Sequence, residues 1–162
     1  MITQELVNNL FQLKNGNLFW KNKTSNLSRI KIGDEAGVLD KKGYKKIGIN
    51  QKIYFEHHIV FLMNHGYLPK QIDHINGVKN DNRIENLREV TNSQNKMNTK
   101  LQSNNKSGIK NVNWCKKSNK WVVQLAVDNK KRWFGYYYDL NVAKFVAETM
   151  RYKYHGKFAR NY

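Results

Sequence analysis

Between Gln71 and Lys96 the chain reads QIDHINGVKNDNRIENLREVTNSQNK, a run dominated by Asn, Asp and Lys. Ile72 starts a short extended piece, and Asn76-Gly77 signals a turn. The polar loop VKNDNRIEN then returns the chain to a second short apolar piece, LREVT. Thr91-Asn92-Ser93-Gln94 fits a capping box, with Thr91 as the cap and Gln94 reaching back. The order is therefore stub strand, long polar loop, stub strand, helix start. No other stretch restricts the fold as much, and it predicts an α+β chain.

The same run carries an acid beside a histidine, Asp73-His74. Neighbours on a strand point to opposite faces, so a bulge or a pleat edge is needed to bring both to one substrate. Asn95 falls in the first turn of the helix after Thr91, and a hairpin folded over that helix would bring it beside Asp73. A carboxylate and an amide oxygen are hard ligands, suited to a magnesium-like cation that keeps waters and takes substrate phosphate. A neutral imidazole next to them would take a proton from an attacking water. Taken singly these features are commonplace: an Asp-His pair is more often a turn cap and a surface histidine. Only the full spacing points to catalysis.

Upstream, GNLFWK and EAGVLDKKGYKKIGINQKIYFEH read as short strands around turn residues. HHIVFLMNHG follows at helical spacing through Ile59, Val60, Leu62 and Met63, with Gly66 as its stop. Downstream, KMNTKLQSNNKSG is polar and basic with little to bury, and reads as a helix tail and linker. Three strand-like runs come next, GIKNVNWC, KWVVQLAV and KRWFGYYY. A helix closes the chain, with Asp139 as cap, Gly156 as stop and Val142, Phe145, Val146, Thr149 and Met150 as its stripe. One face of such a three-stranded sheet would be covered by the helix and the other left open.

Charge narrows the partners. The formal net charge is +17 at pH 7, from 29 basic and 12 acidic residues. That excess is an electrostatic footprint for a polyanion, nucleic acid first. No run approaches the roughly 20 apolar residues of a spanning helix, and MITQELVNNLFQLKNGN does not read as a secretory signal. The single cysteine, Cys115, excludes an internal disulfide and a thiolate zinc cage and fits a reducing, intracellular setting.

The run HHIVFLMNHGYLPKQIDHINGVKNDNRIENLREVTNSQNKMN resembles the HNH endonucleases, in the branch of phage and intron homing enzymes with a ββα-metal motif. Its anchors are Asp73-His74, Asn86 and Asn95. The resemblance implies that Asp73 and Asn95 ligate one divalent ion, Mg2+ or Mn2+, that His74 is the general base, and that Asn86 holds the loop and so orients His74. Asn at the third position lowers the expectation of tight zinc binding. His57 matches a position where the family often has His followed by Arg. Here His58 follows, and core packing is the favoured role for His57 and His65.

Residues Asn105 to Tyr162 resemble the APETALA, or ethylene-response-factor, type of DNA-binding domain. The anchors are Ser107-Gly108, Trp114, Lys120-Trp121, Phe134-Gly135, Ala143, Ala147 and the closing HGKFARN. Its sheet implies contacts to duplex DNA from Asn113, Lys116, Lys117, Gln124, Arg132 and Trp133. The expected organisation is thus a strand-rich region with the nuclease domain over 1–98 (core motif 57–98), a basic linker over 99–107, and the DNA-binding domain over 108–162. The expected function is metal-dependent cleavage of a phosphodiester at a preferred duplex site. The expected partner is double-stranded DNA, without membrane or protein partner, for a monomeric, phage-encoded chain acting inside a bacterial host. The rivals are a sequence-preferring DNA-binding regulator without nuclease activity and an RNA-binding module whose aromatics stack unpaired bases.

Overall fold

The chain opens on a helix rather than on strands: α1 (Gln4–Leu10), whose cap Thr3 accepts the Leu6 backbone N–H. Seven residues, two of them asparagine, are too short to show a period. Burial of Val7 and Leu10 holds the helix in place. The computed structural model describes residues 2–24 and 29–160. Its contacts divide it into two units, one reaching Val90 and the other starting at Thr91.

In the first unit α1 runs into a hairpin, β1 (Phe11–Lys14) and β2 (Asn17–Trp20). Asn15 and Gly16 make its two-residue turn, with φ of 49° and 81°. That is the conformation an Asn-Gly hairpin favours. A Cβ on Gly16 would collide with the backbone of Asn82 and Arg83, so the polar loop lies directly on this turn. A second sheet has the order β3 (Val38–Leu39), β4 (Lys45–Ile49), β5 (Lys52–Phe55). Asn50 and Gln51 turn β4 into β5, again at positive φ. Ile47 and Ile49 point inward from β4, two residues apart as a pleat requires.

β5 leads without a loop into α2 (Glu56–His65), which ends at Gly66 in the left-handed conformation. Ile59, Val60 and Leu62 of α2 pack with Val7, Leu10, Phe11, Leu18 and Trp20 into one core. The Phe11 and Trp20 rings lie 4.6 Å apart within it. The last sheet of this unit is β6 (Ile72–His74) against β7 (Leu87–Glu89), antiparallel, with Asp73 opposite Arg88 and His74 opposite Leu87. A 3₁₀ turn, Ile84–Asn86, feeds β7.

The second unit starts with α3 (Asn92–Met97). Its capping box forms as the sequence predicts: Thr91 accepts from the Gln94 N–H while the Gln94 side chain accepts from the Thr91 N–H. A three-stranded antiparallel sheet follows, β8 (Val112–Cys115), β9 (Lys120–Val127) and β10 (Lys130–Tyr137), with β9 in the centre. Asn119, Asp128 and Asn129 take positive φ at its two turns. The closing helix α4 (Leu140–His155) is capped by Asp139, which accepts from the Asn141 and Val142 N–H groups.

The buried face of α4 differs from the predicted stripe. Ala143, Ala147, Arg151 and His155 face the sheet, with Val146 and Met150 beside them, whereas Val142 and Phe145 point to solvent at 48% and 70% exposure. Two alanines let the helix lie close on Val112, Val123 and Leu125, which rotates the larger side chains off the seam. Arg151 is fully buried and donates to the Lys110 carbonyl, and His155 Nε2 donates to the Ala126 carbonyl at 2.9 Å. The segment read as a linker is held in this unit. Lys110 Nζ donates to the carbonyls of Met97 and Thr99, and Asn105 Nδ2 donates to those of Ile109 and Val112. The last anchor of the HGKFARN motif, Asn161, lies outside the described residues.

Candidate active site

Asp73 and His74 are both buried, at 8% and 5% exposure, although they sit in the most polar stretch of the chain. The β6–β7 ladder runs in regular register, so their side chains leave opposite sides of the strand. Asp73 Oδ2 accepts from Arg88 Nε at 3.1 Å and Nη2 at 2.8 Å. Arg88 is the cross-strand partner of Asp73, so the ladder itself delivers the guanidinium. The His74 ring packs edge-on against His57, centroids 5.0 Å apart, and lies 6.2 Å from the Tyr44 ring. Tyr44 senses both residues. Its phenol is pushed above the usual tyrosine range, first by burial and then by the charges of Asp40 and Asp73.

Asn86 closes the loop between the strands. Its Oδ1 accepts from the Asn76 N–H at 3.0 Å and its Nδ2 donates to the Asp81 carbonyl at 2.7 Å. Asp81 in turn accepts from Asn76 Nδ2 and, through both oxygens, from Arg83. Arg83 holds the Asp81 carboxyl down at about 2, with Asn76 adding to the effect. The loop is therefore a stapled structure. Asn95 occupies the first turn of α3 in the second unit, where its backbone N–H bonds the Thr91 carbonyl at 3.0 Å.

Residues 54–97, which include all four of these side chains, match the model of the HNH endonuclease family. Protein 3.8 of Escherichia phage T7 is 31% identical over 122 residues, covering 74% of this chain and 98% of that protein. The chain belongs to the family of Protein 3.8 and carries an HNH endonuclease domain. No solved structure matches it. At the level of the family, the HNH domain is a nuclease and its substrate class is DNA.

Sequence reasoning missed the residues that hold the HNH histidine. His74 Nε2 lies 2.9 Å from Asn82 Oδ1, and Asn82 Nδ2 donates to Glu56 Oε2 at 2.7 Å. Glu56 is fully buried; its Oε1 accepts from the Leu18 N–H at 2.9 Å and lies 3.5 Å from Lys45 Nζ. Burial pushes the Glu56 carboxyl up, against the opposing pull of Leu18, Lys45 and Asn82. A lone carboxylate inside the apolar run IYFEHHIVFLM was the one available signal. Asn82 looked like any other loop asparagine. His57 is driven down to about 3 by burial first and then by His58 and His74, and its Nδ1 has no hydrogen-bond partner among the described residues.

Asp73 offers a carboxylate oxygen that Arg88 already holds, a hard donor of the kind a magnesium-like cation takes. Among the described residues no cluster of three or more His, Cys, Asp or Glu side chains is arranged around an ion position.

In the second unit the sheet separates the candidate DNA contacts by face. Residues directly opposite in an antiparallel pair share a face. Asn113 opposes Val122, and Trp133 opposes Gln124, so Asn113, Gln124 and Trp133 stand together, joined by Lys131 opposite Ala126. Arg132 opposes Leu125 on the helix side, where it meets Asp128 at 3.3 Å and the Tyr154 ring. Lys116 and Lys117 are exposed in the β8–β9 turn. The face expected to be open is partly walled. Residues between Ser93 and Asn105 border a hollow of about 490 Å³ with Asn113, Gln124, Ala126 and Lys131. No helix among the described residues is long and apolar enough to cross a membrane.

Proposed function

We propose that the chain is a metal-dependent DNA endonuclease of the HNH homing type, hydrolysing a phosphodiester at a preferred duplex site, and that it serves a phage inside its bacterial host. The observation that carries this reading is the fixed Asp73-His74 pair inside the HNH segment, each side chain buried and each held by a separate partner. In this reading His74 accepts the proton of the attacking water, the ordinary work of a positioned imidazole. Asp73 and Asn95 hold the divalent ion, Mg2+ or Mn2+. When bound, that ion supplies charge stabilisation at the phosphoryl oxygen. Asn86 keeps the loop closed and so orients His74. The products are a 5′-phosphate and a 3′-hydroxyl, as the family resemblance implies.

The second unit acts as an APETALA-type DNA grip in the same proposal. Asn113, Gln124, Lys131 and Trp133 form the groove-facing set, and Lys116 and Lys117 hold phosphates and set register. The unusual net charge of +17 supports a polyanionic partner. Binding should weaken with salt at a log–log slope of roughly −0.9 per phosphate contact.

A second reading, a DNA-binding regulator, is favoured by one observation: the Asp73 carboxylate already carries a guanidinium. Supercoiled plasmid incubated with magnesium separates the two. The endonuclease nicks or linearises it, EDTA stops the reaction, and His74→Ala loses roughly 10²–10⁴-fold in rate while binding DNA as before. A regulator leaves the plasmid intact with either protein.

A further inference from the structure

We propose that Glu56 and Asn82 are positioning residues that fix the tautomer of His74, placing the proton on Nε2 and the lone pair on Nδ1. The inference rests on the reading of His74 as the general base and identifies which of its nitrogens does that work.

The direction of each hydrogen bond around Glu56 is set by groups that can only donate. The Leu18 backbone N–H and the Lys45 ammonium can only donate, and both face Glu56 Oε1. The other oxygen, Oε2, faces the Asn82 side chain at 2.7 Å. An ionised carboxylate accepts only, so the Asn82 group turned toward it is the NH2. The Asn82 amide cannot then present its NH2 to His74; it presents Oδ1, at 2.9 Å from Nε2. An amide oxygen accepts only, so Nε2 carries the hydrogen. In a neutral imidazole the remaining nitrogen, Nδ1, holds the lone pair.

Burial makes the chain of direction hard to break. Glu56 is 0% exposed, Asn82 2% and His74 5%, so water does not compete for these bonds. Reversing Asn82 would set its oxygen against the Glu56 oxygen and leave a carboxylate lone pair unsatisfied, a costly arrangement in a buried site. The polar loop contributes Asn82, the first turn of α2 contributes Glu56, and Gly16 allows the loop to approach that closely. Protonating or neutralising Glu56 reverses the bias, because the Leu18 N–H and Lys45 keep an oxygen at Oε1 and the acid O–H or amide NH2 left at Oε2 then donates to Asn82.

The test uses the full chain labelled with 15N and a long-range 1H–15N correlation spectrum of the histidine rings, at about pH 8, above the ordinary histidine range. His74→Gln assigns the His74 signals by their loss. The wild-type ring is expected as the Nε2–H tautomer. Glu56→Gln should turn the ring to the Nδ1–H tautomer, and Asn82→Leu should lose the Nε2–H preference, with plasmid cleavage falling roughly 10–100-fold. An Nδ1–H ring in the wild type overturns the proposal, and that measurement needs no variant to fold. An unchanged tautomer in a folded Glu56→Gln protein overturns it as well. Failure of the nuclease reading shows up separately, as a wild-type protein with the expected tautomer and no cleavage.

Discussion

Replacing Arg88 by Met tests whether the Asp73 carboxylate belongs to a cation site or only to the fold. Asp73 keeps 9% of its side chain exposed and Arg88 13%, and two guanidinium N–H groups converge on one carboxylate oxygen. Methionine has a similar reach and no charge, so it leaves a buried carboxylate without that partner. Breaking a buried pair from one side typically costs about 3–5 kcal/mol. The residual exposure places this case at the lower end, about 3 kcal/mol. With a urea slope of about 2 kcal/mol/M, the unfolding midpoint in EDTA drops by about 1.5 M. If the carboxylate also ligates a divalent ion, magnesium replaces the missing charge. A ligand at about 100 times its Kd restores about 2.7 kcal/mol, so most of the loss is recovered in the variant. Urea titrations of both proteins, with EDTA and with magnesium, read this directly. A loss below about 1 kcal/mol in EDTA refutes the burial argument. A full loss that magnesium does not relieve refutes the assignment of Asp73 as a ligand.

Three further outcomes follow from the structure. His57 sits at about 3 in the fold against about 6.5 in an unfolded chain, so the unfolded state binds more protons between those values. The stability His57 contributes is complete above about pH 6.5 and is lost as pH falls toward 3; His57→Phe should lose less stability between pH 7 and pH 5 than the wild type, by urea midpoint. Lys131→Ala should lower the magnitude of the salt slope of DNA binding by about 1, whereas Arg132→Ala, on the helix side of the sheet, should leave it unchanged; equal effects would remove the face assignment. Gly16→Ala forces a left-handed alanine, costing about 1–2 kcal/mol, and pushes on Asn82, so chemical denaturation should show at least that loss.

What could be read in advance was whatever local chemistry decides. Asn15-Gly16, Asn76-Gly77, Gly66 and the Thr91–Gln94 box each specify their backbone within a few residues, and the short strands and helices around them follow. The HNH anchors are legible through the family resemblance that their spacing carries, not through local chemistry. The support of His74 is not local. Glu56 and Asn82 are 26 residues apart and meet only in the folded core, so the sequence shows an odd carboxylate in an apolar run but not its partner. The buried face of α4 does not follow its large apolar residues. A helix lying close to a sheet prefers alanine at the seam, and Ala143 and Ala147 set the rotation that puts Phe145 outside.

Asparagine occupies two unlike kinds of position in this molecule. At 15, 50, 111, 119 and 129 it bends the backbone into the left-handed region, a task glycine performs as well, so drift between the two letters is nearly silent there. At 82 and 86 its amide is spoken for at both ends, and no other side chain offers a donor and an acceptor at that reach. Relatives can therefore exchange many of their asparagines while preserving the fold, and a percentage of identity understates how much architecture two such chains share.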